Sequence, residues 1–217
     1  MFMNSTVGPR RATWYFDVIS PFAYLHLQRF SELPADLAID YKPVLFAGLL
    51  NHWGQKGPAE IDAKRRWTYR ACQFWADSRG IPFRFPAAHP FNPLHHLRLI
   101  LACGTTPEAV RRVFEHLWTT GADPADEKAF ATLAHSLGID DLAALGAAEV
   151  KDALRRNTEE AAARGIFGVP TFYSGGELFW GNDSLEFFKA WLNEPGLLQA
   201  AEMRRIDALP VAAARKG

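Results

Sequence analysis

Ser20 stands where an apolar run gives way to a predicted helix, and a hydroxyl at that point has a chemical use. Residues 14–19 are mostly aromatic and β-branched, which is typical of a buried strand. Pro21 suits the first position of a helix because it has no amide hydrogen to lose, and Ser20 before it suits the N-cap. A hydroxyl beside the free amide hydrogens of a helix N-terminus favours an anion. The simpler interpretation, a Ser20 that only caps the helix, stays open.

A proline just inside another predicted strand marks a second candidate segment, Gly168-Val169-Pro170-Thr171. A proline that follows a glycine and a β-branched residue here is a candidate for a cis peptide bond. A cis bond would turn the backbone groups of Val169 outward, where they could pair with an extended ligand. The alternative is an ordinary trans proline, because only about 5% of X-Pro bonds in folded proteins are cis.

The third segment is residues 180–185, W-G-N-D-S-L, which joins a glycine turn to a predicted helix. Gly181, Asn182 and Asp183 offer backbone amide hydrogens and a carboxylate together. Such a set could hold the charged ends of an amino-acid-like ligand. A capping box for the last helix explains the same residues without a ligand.

The composition predicts a chain with a sizeable core and no net charge. Of 217 residues, 48% are apolar and 13% aromatic, and Lys plus Arg balance Asp plus Glu at 24 each. This balance offers nothing that favours nucleic acid or an anionic membrane as a partner. No apolar run is long enough to span a bilayer. Arg10-Arg11 is not joined to an apolar signal segment, so we predict a cytoplasmic protein without a secretory or twin-arginine leader.

The cysteines and histidines show no disulfide or metal motif. Cys72 and Cys103 form no C-x-x-C pair, so we predict two separate, half-buried thiols on helices. No Cys, His and Asp residues have ligand spacing, so we predict no metal site. We predict surface or capping positions for His52, His89, His95, His96, His116 and His135.

A group of large aromatic residues allows two interpretations. The group consists of Trp53, Trp67, Phe74 and Trp75. These side chains could line an apolar pocket for an aromatic substrate, or they could be plain core. We prefer the core interpretation.

The predicted elements run β-α-β, then a long all-helical middle, then β-β-α. The first helix starts at Pro21 and stops near Pro34, the second strand covers residues 37–46, and 48–58 is a loop. A hairpin pairs residues 169–173 with 177–180. Helices are predicted at residues 59–79, 93–103, 107–120, 126–137, 140–145, 148–164, 185–192 and 200–206, with coil at 81–90.

Strands at the two ends of the chain must share one sheet, because an isolated hairpin is not stable. We therefore predict one α/β domain from residues 12–58 and 166–207, with residues 59–165 as an inserted helical domain. The insertion would pack over the sheet and leave a cleft that opens onto Ser20.

Three motifs occur in order along the chain, with the helical segment between the first and the second: F-D-V-I-S-P-F-A-Y, G-V-P-T-F and W-G-N-D-S-L. In this order they resemble the 2-hydroxychromene-2-carboxylate isomerases. That family is close to the kappa-class glutathione transferases and more distantly related to bacterial disulfide oxidases. The resemblance covers nearly the whole chain. It implies an α/β thioredoxin fold with a large all-helical insertion, glutathione as cofactor, and a homodimer.

The resemblance also assigns roles near the predicted helix start. Ser20 lies where a disulfide oxidase carries the first cysteine of its C-x-x-C motif, with Pro21 and Phe22 beside it. Its hydroxyl would donate a hydrogen bond to the glutathione thiolate, and the helix dipole would lower the thiol pKa further. Val169 would pair its backbone with the cysteinyl part of glutathione, next to Pro170.

Other segments would hold the two ends of glutathione. By the same resemblance, Gly181, Asn182 and Asp183 bind the γ-glutamyl end. Lys64 matches a basic residue that faces the glycyl carboxylate in kappa-class relatives, although a solvated helix lysine is an equal alternative. Gln55 stands where those relatives carry an asparagine near the thiol, and this departure leaves the role of its loop open.

The implied activity is glutathione-dependent isomerisation of a small aromatic substrate. Glutathione would add to 2-hydroxychromene-2-carboxylate and leave again to give trans-o-hydroxybenzylidenepyruvate, without net redox change. A kappa-like glutathione transferase or peroxidase is one alternative, and a non-catalytic module that holds extended peptides is another. A disulfide oxidoreductase is disfavoured, because Cys72 and Cys103 lie far from Ser20 in the sequence.

Overall fold

The computed structural model describes residues 10–213 of the chain. The predicted absence of a leader falls mainly on residues 1–9, and the predicted C-terminal tail begins at residue 208. Residues 1–9 and 214–217 lie outside the described residues.

Within the described residues, a four-stranded sheet has the order β2-β1-β3-β4. Strand β1 (Arg11–Phe16) pairs in parallel with β2 (Ala38–Pro43) and antiparallel with β3 (Thr171–Ser174), which pairs with β4 (Glu177–Trp180). Strands from both ends of the chain therefore share one sheet, as predicted. Pro43 closes the edge strand β2, a position where a missing amide hydrogen is tolerated.

The helices surround this sheet, and most lie within a few residues of their predicted bounds. They are α1 (Pro21–Leu27), α2 (Phe46–Trp53), α3 (Asp62–Arg79), α4 (Leu94–Ala102), α5 (Pro107–Trp118), α6 (Glu127–Ser136), α7 (Ala148–Ala163), α8 (Leu185–Asn193) and α9 (Ala201–Asp207). Short 3-10 turns lie at Phe30–Glu32, Pro58–Glu60, Leu142–Gly146, Asn182–Ser184 and Pro195–Gln199. Residues 81–90 are coil, as predicted. Among the described helices, none has the length and apolarity needed to cross a membrane.

The loop predicted at residues 48–58 is wrong in its first half, because α2 occupies it. The Phe46 amide donates to the Asp17 carboxylate at 2.8 Å, and the Leu45 amide donates to Thr158 Oγ1 at 3.0 Å. These contacts satisfy amide hydrogens at the start of the helix, which no side chain within α2 caps. Gly54 then ends α2 in the left-handed region, at φ 61°.

The sheet is covered on both faces, and the larger core lies on the side of α1, α5 and α8. There Trp14 stacks on Phe16 with ring centroids 4.4 Å apart, and Phe172 stacks on Phe188 of α8 at the same distance. On the other face, Tyr15 lies against α2 and α7. Strand β1 is thus packed on both faces, and a short turn joins it to Ser20. The division into residues 12–58 with 166–207 and an inserted 59–165 stays a prediction.

The prediction that the aromatic group is core is wrong. Trp67 is 69% exposed, Phe74 is 61% exposed, and Trp53 and Trp75 are also exposed. Helix α3 buries a different stripe, which includes Cys72 and is small enough to pack close to its neighbours. The large aromatic side chains of α3 therefore face outward.

The cysteines are two separate thiols, as predicted. Cys103 is half-buried at the end of α4, whereas Cys72 is fully buried on α3, deeper than predicted. Burial raises the pKa of the Cys72 thiol to about 12. A protonated, buried thiol is a poor nucleophile, so Cys72 is structural.

The surface prediction is wrong for some of the histidines. His96 is only 2% exposed, and neither of its ring nitrogens has a hydrogen-bond partner among the described residues. His89 and His116 are half-buried. Aromatic neighbours such as Phe130, at 5.0 Å between ring centroids, enclose His96, so its position in the core follows from tertiary packing.

We expect His96→Leu to stabilise the protein by about 1 kcal/mol at pH 7.5, because it removes unpaired buried polar atoms. Burial lowers the pKa of His96 from 6.5 to about 3. In the unfolded chain His96 takes up a proton near pH 6.5, whereas in the folded protein it stays neutral until about pH 3, so wild-type protein loses stability as the pH falls from 6.5 towards 3. The stability difference in favour of His96→Leu should therefore be larger at pH 5 than at pH 7.5. Urea unfolding at both pH values measures this.

The control is His135→Leu, which removes a histidine whose side chain is 80% exposed. A His96→Leu variant that is less stable than wild type at pH 7.5 would show that the ring nitrogens have partners in solution.

Candidate active site

Ser20 caps α1, and its hydroxyl also has a second contact. The Ala23 amide donates to Ser20 Oγ at 3.3 Å, and Pro21 occupies the first helical position, as predicted. Ser20 Oγ donates to the Val169 carbonyl at 3.5 Å, the upper limit of a hydrogen bond. The hydroxyl therefore forms only a weak hydrogen bond to Val169, and a bound ligand could accept its hydrogen instead.

The segment at Val169 has the predicted cis bond. The Val169–Pro170 peptide is cis, and the Pro170 carbonyl accepts a hydrogen bond from the Gly181 amide at 2.8 Å. Gly168 lies against Trp180, since a Cβ at Gly168 would come within 2.5 Å of the indole nitrogen. These contacts bring the three motifs of the chain to one place.

The third motif contains an unused acceptor. Asn182 is 5% exposed, and its Oδ1 has no hydrogen-bond partner among the described residues. The predicted alternative, a capping box, is absent here, because Ser184 makes no side-chain bond to the α8 amides and donates to the Gly181 carbonyl instead. An orphaned buried acceptor fits a ligand that brings a donor, such as an ammonium group.

The remaining predicted ligands form no hydrogen bond with the Ser20 side chain. Asp183 is exposed beside Asn182. Gln55 is exposed just after α2, and Lys64 is exposed in the first turn of α3. Phe22 is half-buried on α1 and packs against the main core.

Asp17 is hydrogen-bonded within the turn that ends at Ser20, and no sequence motif pointed to it. Its carboxylate accepts the Ile19 amide at 3.0 Å and the Phe46 amide at 2.8 Å, and its carbonyl accepts the Ser20 amide at 3.1 Å. Burial raises its pKa to about 7, and the backbone hydrogen bonds oppose that rise. The available signal was a lone carboxylate at the end of an aromatic strand.

Two rings from the helical part of the chain also reach this turn. Trp118 Nε1 donates to the Val18 carbonyl at 2.9 Å, and His89 Nε2 lies 2.8 Å from the Ile19 carbonyl oxygen. No motif pointed to either ring, because both are distant from Ser20 in the sequence.

The cluster is suited to binding an anionic ligand. Ser20 stands at a helix N-terminus, and neither Cys72 nor Cys103 forms a hydrogen bond with it. Within residues 10–213, no group of His, Cys, Asp and Glu side chains could hold a metal ion. The chemistry supported here is hydrogen bonding to an anionic group.

Comparison with known proteins assigns the fold and the family. The DSBA-like thioredoxin domain model matches residues 13–193, and a 2-hydroxychromene-2-carboxylate isomerase of Pseudomonas putida is 35% identical over 79% of this chain and 89% of that protein. The chain belongs to this isomerase family of DsbA-like thioredoxin-fold proteins. The chain is also similar to glutathione S-transferase kappa 2 of Caenorhabditis elegans, which is 29% identical over 72% of this chain and 77% of that protein. A solved 2-hydroxychromene-2-carboxylate isomerase superposes with a TM-score of 0.76 at 28% identity and covers 89% of this chain and 98% of that one.

Proposed function

We propose that this protein is a glutathione-dependent isomerase that interconverts 2-hydroxychromene-2-carboxylate and trans-o-hydroxybenzylidenepyruvate. The observation that carries the proposal is the weakly held Ser20 hydroxyl at the N-terminus of α1, beside the cis Val169–Pro170 peptide. The 35% identical relative named for this reaction supports the choice of substrate.

The described residues fit glutathione. The buried Asn182 Oδ1 lacks a donor, and the γ-glutamyl ammonium group would supply one. Gly181 and Asp183 lie on either side of Asn182 and would complete this end of the site. The backbone of Val169, next to Pro170, would pair with the cysteinyl part.

Lys64 would face the glycyl carboxylate from the first turn of α3, and Gln55 would border the thiol region from the segment after α2. Both side chains are exposed. Pro21 and Phe22 would shape the site at the start of α1.

When bound, glutathione supplies the sulfur nucleophile. Ser20 would turn its hydroxyl hydrogen from Val169 to the sulfur and hold it as the thiolate. One hydrogen bond to a charged group contributes about 1.5–3 kcal/mol. That corresponds to a thiol pKa lowered by roughly one to two units. The dipole of α1 acts in the same direction.

Calorimetric titration with reduced glutathione tests the proposal, together with an ultraviolet difference spectrum of the bound thiol. We expect binding with a thiolate band near neutral pH, followed by turnover of 2-hydroxychromene-2-carboxylate. Thiolate without isomerisation would instead favour a kappa-like glutathione transferase or peroxidase, in line with the kappa-class relative. An absence of binding at millimolar glutathione would exclude both the isomerase and the transferase activity. It would favour the remaining candidate, a non-catalytic module that binds extended peptides.

We also propose that two copies pair through the outward face of α3. Trp67 and Phe74 are more than half exposed there, which is typical of an interface. Arg70 lies between them in the chain. An antiparallel pair of these helices, related by a two-fold axis near Arg70, would place Trp67 of one copy opposite Phe74 of the other.

We expect Trp67→Lys to convert the dimer to a monomer, because it places a charge in the apolar centre of this face. Light scattering after size-exclusion chromatography measures the mass directly. Leu142→Lys is the control, since Leu142 is an exposed apolar residue away from α3. A wild-type monomer, or a Trp67→Lys dimer, would refute this interface.

The free state of both cysteines supports the cytoplasm as the proposed compartment.

A further inference from the structure

Two residues from the helical part of the chain form hydrogen bonds to the turn that leads into Ser20. Trp118 of α5 donates to the Val18 carbonyl, and His89 of the coil before α4 contacts the Ile19 carbonyl. The Ser20 amide donates to the Asp17 carbonyl at 3.1 Å. The peptide between Ile19 and Ser20 is therefore fixed at its oxygen and at its nitrogen, and its orientation sets the direction of the Ser20 side chain.

The proton positions on His89 follow from its partners. A carbonyl oxygen only accepts, so His89 Nε2 carries the hydrogen that it donates to Ile19. Burial lowers the pKa of His89, so the ring is neutral at neutral pH and its Nδ1 is an acceptor. The Tyr69 hydroxyl lies 2.6 Å from that Nδ1 and 2.8 Å from the His89 carbonyl oxygen, so its single hydrogen is shared between these two acceptors. The tautomer with hydrogen on Nε2 therefore follows from the contact with the Ile19 carbonyl.

Aromatic packing keeps the His89 ring in this position. The rings of Phe85, Phe91 and Trp118 lie with centroids 5.9, 6.0 and 5.6 Å from the imidazole centroid. Tyr69 packs on Phe85 at 4.4 Å, so the hydroxyl that orients His89 is itself held. The imidazole therefore presents one donor to Ile19 in one direction.

We propose that His89, oriented by Tyr69, is a positioning residue that aims the Ser20 hydroxyl through the Ile19 carbonyl. The proposal rests on the proposed function, in which that hydroxyl holds the glutathione sulfur. His89 acts on the direction of the hydroxyl and does not contact glutathione in this scheme. Its loss should therefore reduce kcat and leave the KM for glutathione nearly unchanged.

A matched pair of variants separates positioning from packing. His89→Gln and His89→Asn both remove the ring, but only the glutamine amide nitrogen reaches the place of Nε2. We expect His89→Asn to lower kcat about tenfold and to weaken the bound-thiolate band at fixed pH. We expect His89→Gln to stay within about threefold of wild type. Equal losses in the two variants would overturn the proposal.

A milder variant keeps the test valid if both His89 variants unfold. Tyr69→Phe keeps the packing on Phe85 and removes only the hydroxyl that contacts the imidazole and the carbonyl of His89. We expect a kcat about threefold lower with an unchanged KM for glutathione, which is the effect of one neutral hydrogen bond. Wild-type kinetics for Tyr69→Phe would contradict the orienting role.

Amide hydrogen exchange in the ligand-free protein distinguishes failure of this proposal from failure of the proposed function. Wild-type protein that binds no glutathione would refute the function alone. The turn is then judged by the Ser20 amide, which should exchange faster in His89→Asn than in His89→Gln. Equal exchange in the two variants would refute the role of His89, whatever the ligand is.

Discussion

Ser20→Ala is expected to lower isomerase turnover by about ten- to a hundredfold, because the hydrogen bond that holds the sulfur as a thiolate is lost. The pKa of the bound glutathione thiol should rise by about one to two units. Turnover at saturating glutathione and an ultraviolet pH titration of the bound thiol measure the two effects. We expect a large effect because Ser20 Oγ accepts the Ala23 amide as a helix cap and still has one weakly bonded hydrogen, which it could donate to the sulfur.

Thr106→Ala is the matched control for this variant. Thr106 caps α5 as Ser20 caps α1: its hydroxyl accepts the Ala109 amide at 3.2 Å, and Pro107 follows at the first helical position. Both variants should lose about 1 kcal/mol of stability with the cap, but only Ser20→Ala should lose turnover. Unchanged turnover in Ser20→Ala would mean that Ser20 is only a cap.

Asp17→Asn is expected to destabilise the fold by about 1–3 kcal/mol at pH 5. The two Asp17 carboxyl oxygens accept amides from Ile19 and Phe46 and so tie the Ser20 turn to α2. An amide nitrogen at one of these places cannot accept, whereas a protonated carboxyl oxygen still can. Urea unfolding compared between wild type and variant measures the loss.

The stability difference between wild type and Asp17→Asn should shrink as the pH rises. Burial raises the pKa of Asp17 from 3.8 to about 7, so between these values the folded state holds a proton that the unfolded state has released. Stability from this proton is complete below pH 3.8 and is lost as the pH rises through about 7. The asparagine variant has no such proton and no such loss.

Unfolding at pH 5, 6, 7 and 8 tests this sign. Asp126→Asn is the control, because Asp126 also accepts two backbone amides, both at 3.0 Å, but at the exposed N-cap of α6. A difference for Asp17→Asn that grows with pH would show that the backbone hydrogen bonds keep Asp17 ionised in the fold.

Local chemistry was sufficient to predict the start of α1 and the bounds of most helices to within a few residues. The instability of an isolated hairpin predicted that strands from the two chain ends share one sheet. Ser20-Pro21 specifies a helix start because a cap and a missing amide hydrogen act within one turn of chain. Gly80 ends α3 at φ 63° because a glycine reaches the left-handed region without strain. The cis Val169–Pro170 bond was a candidate in the sequence because cis peptide bonds occur almost only before proline.

The contacts that aim Ser20 were not visible in the sequence, because they join residues far apart along the chain. His89 and Trp118 reach the Ser20 turn from 70 and 100 residues away, measured to their carbonyl partners. Residue type and periodicity describe a segment and its own faces, whereas these contacts depend on which segments meet in space. The same limit explains the buried His96 and the outward Trp67, whose surroundings were decided by how helices pack.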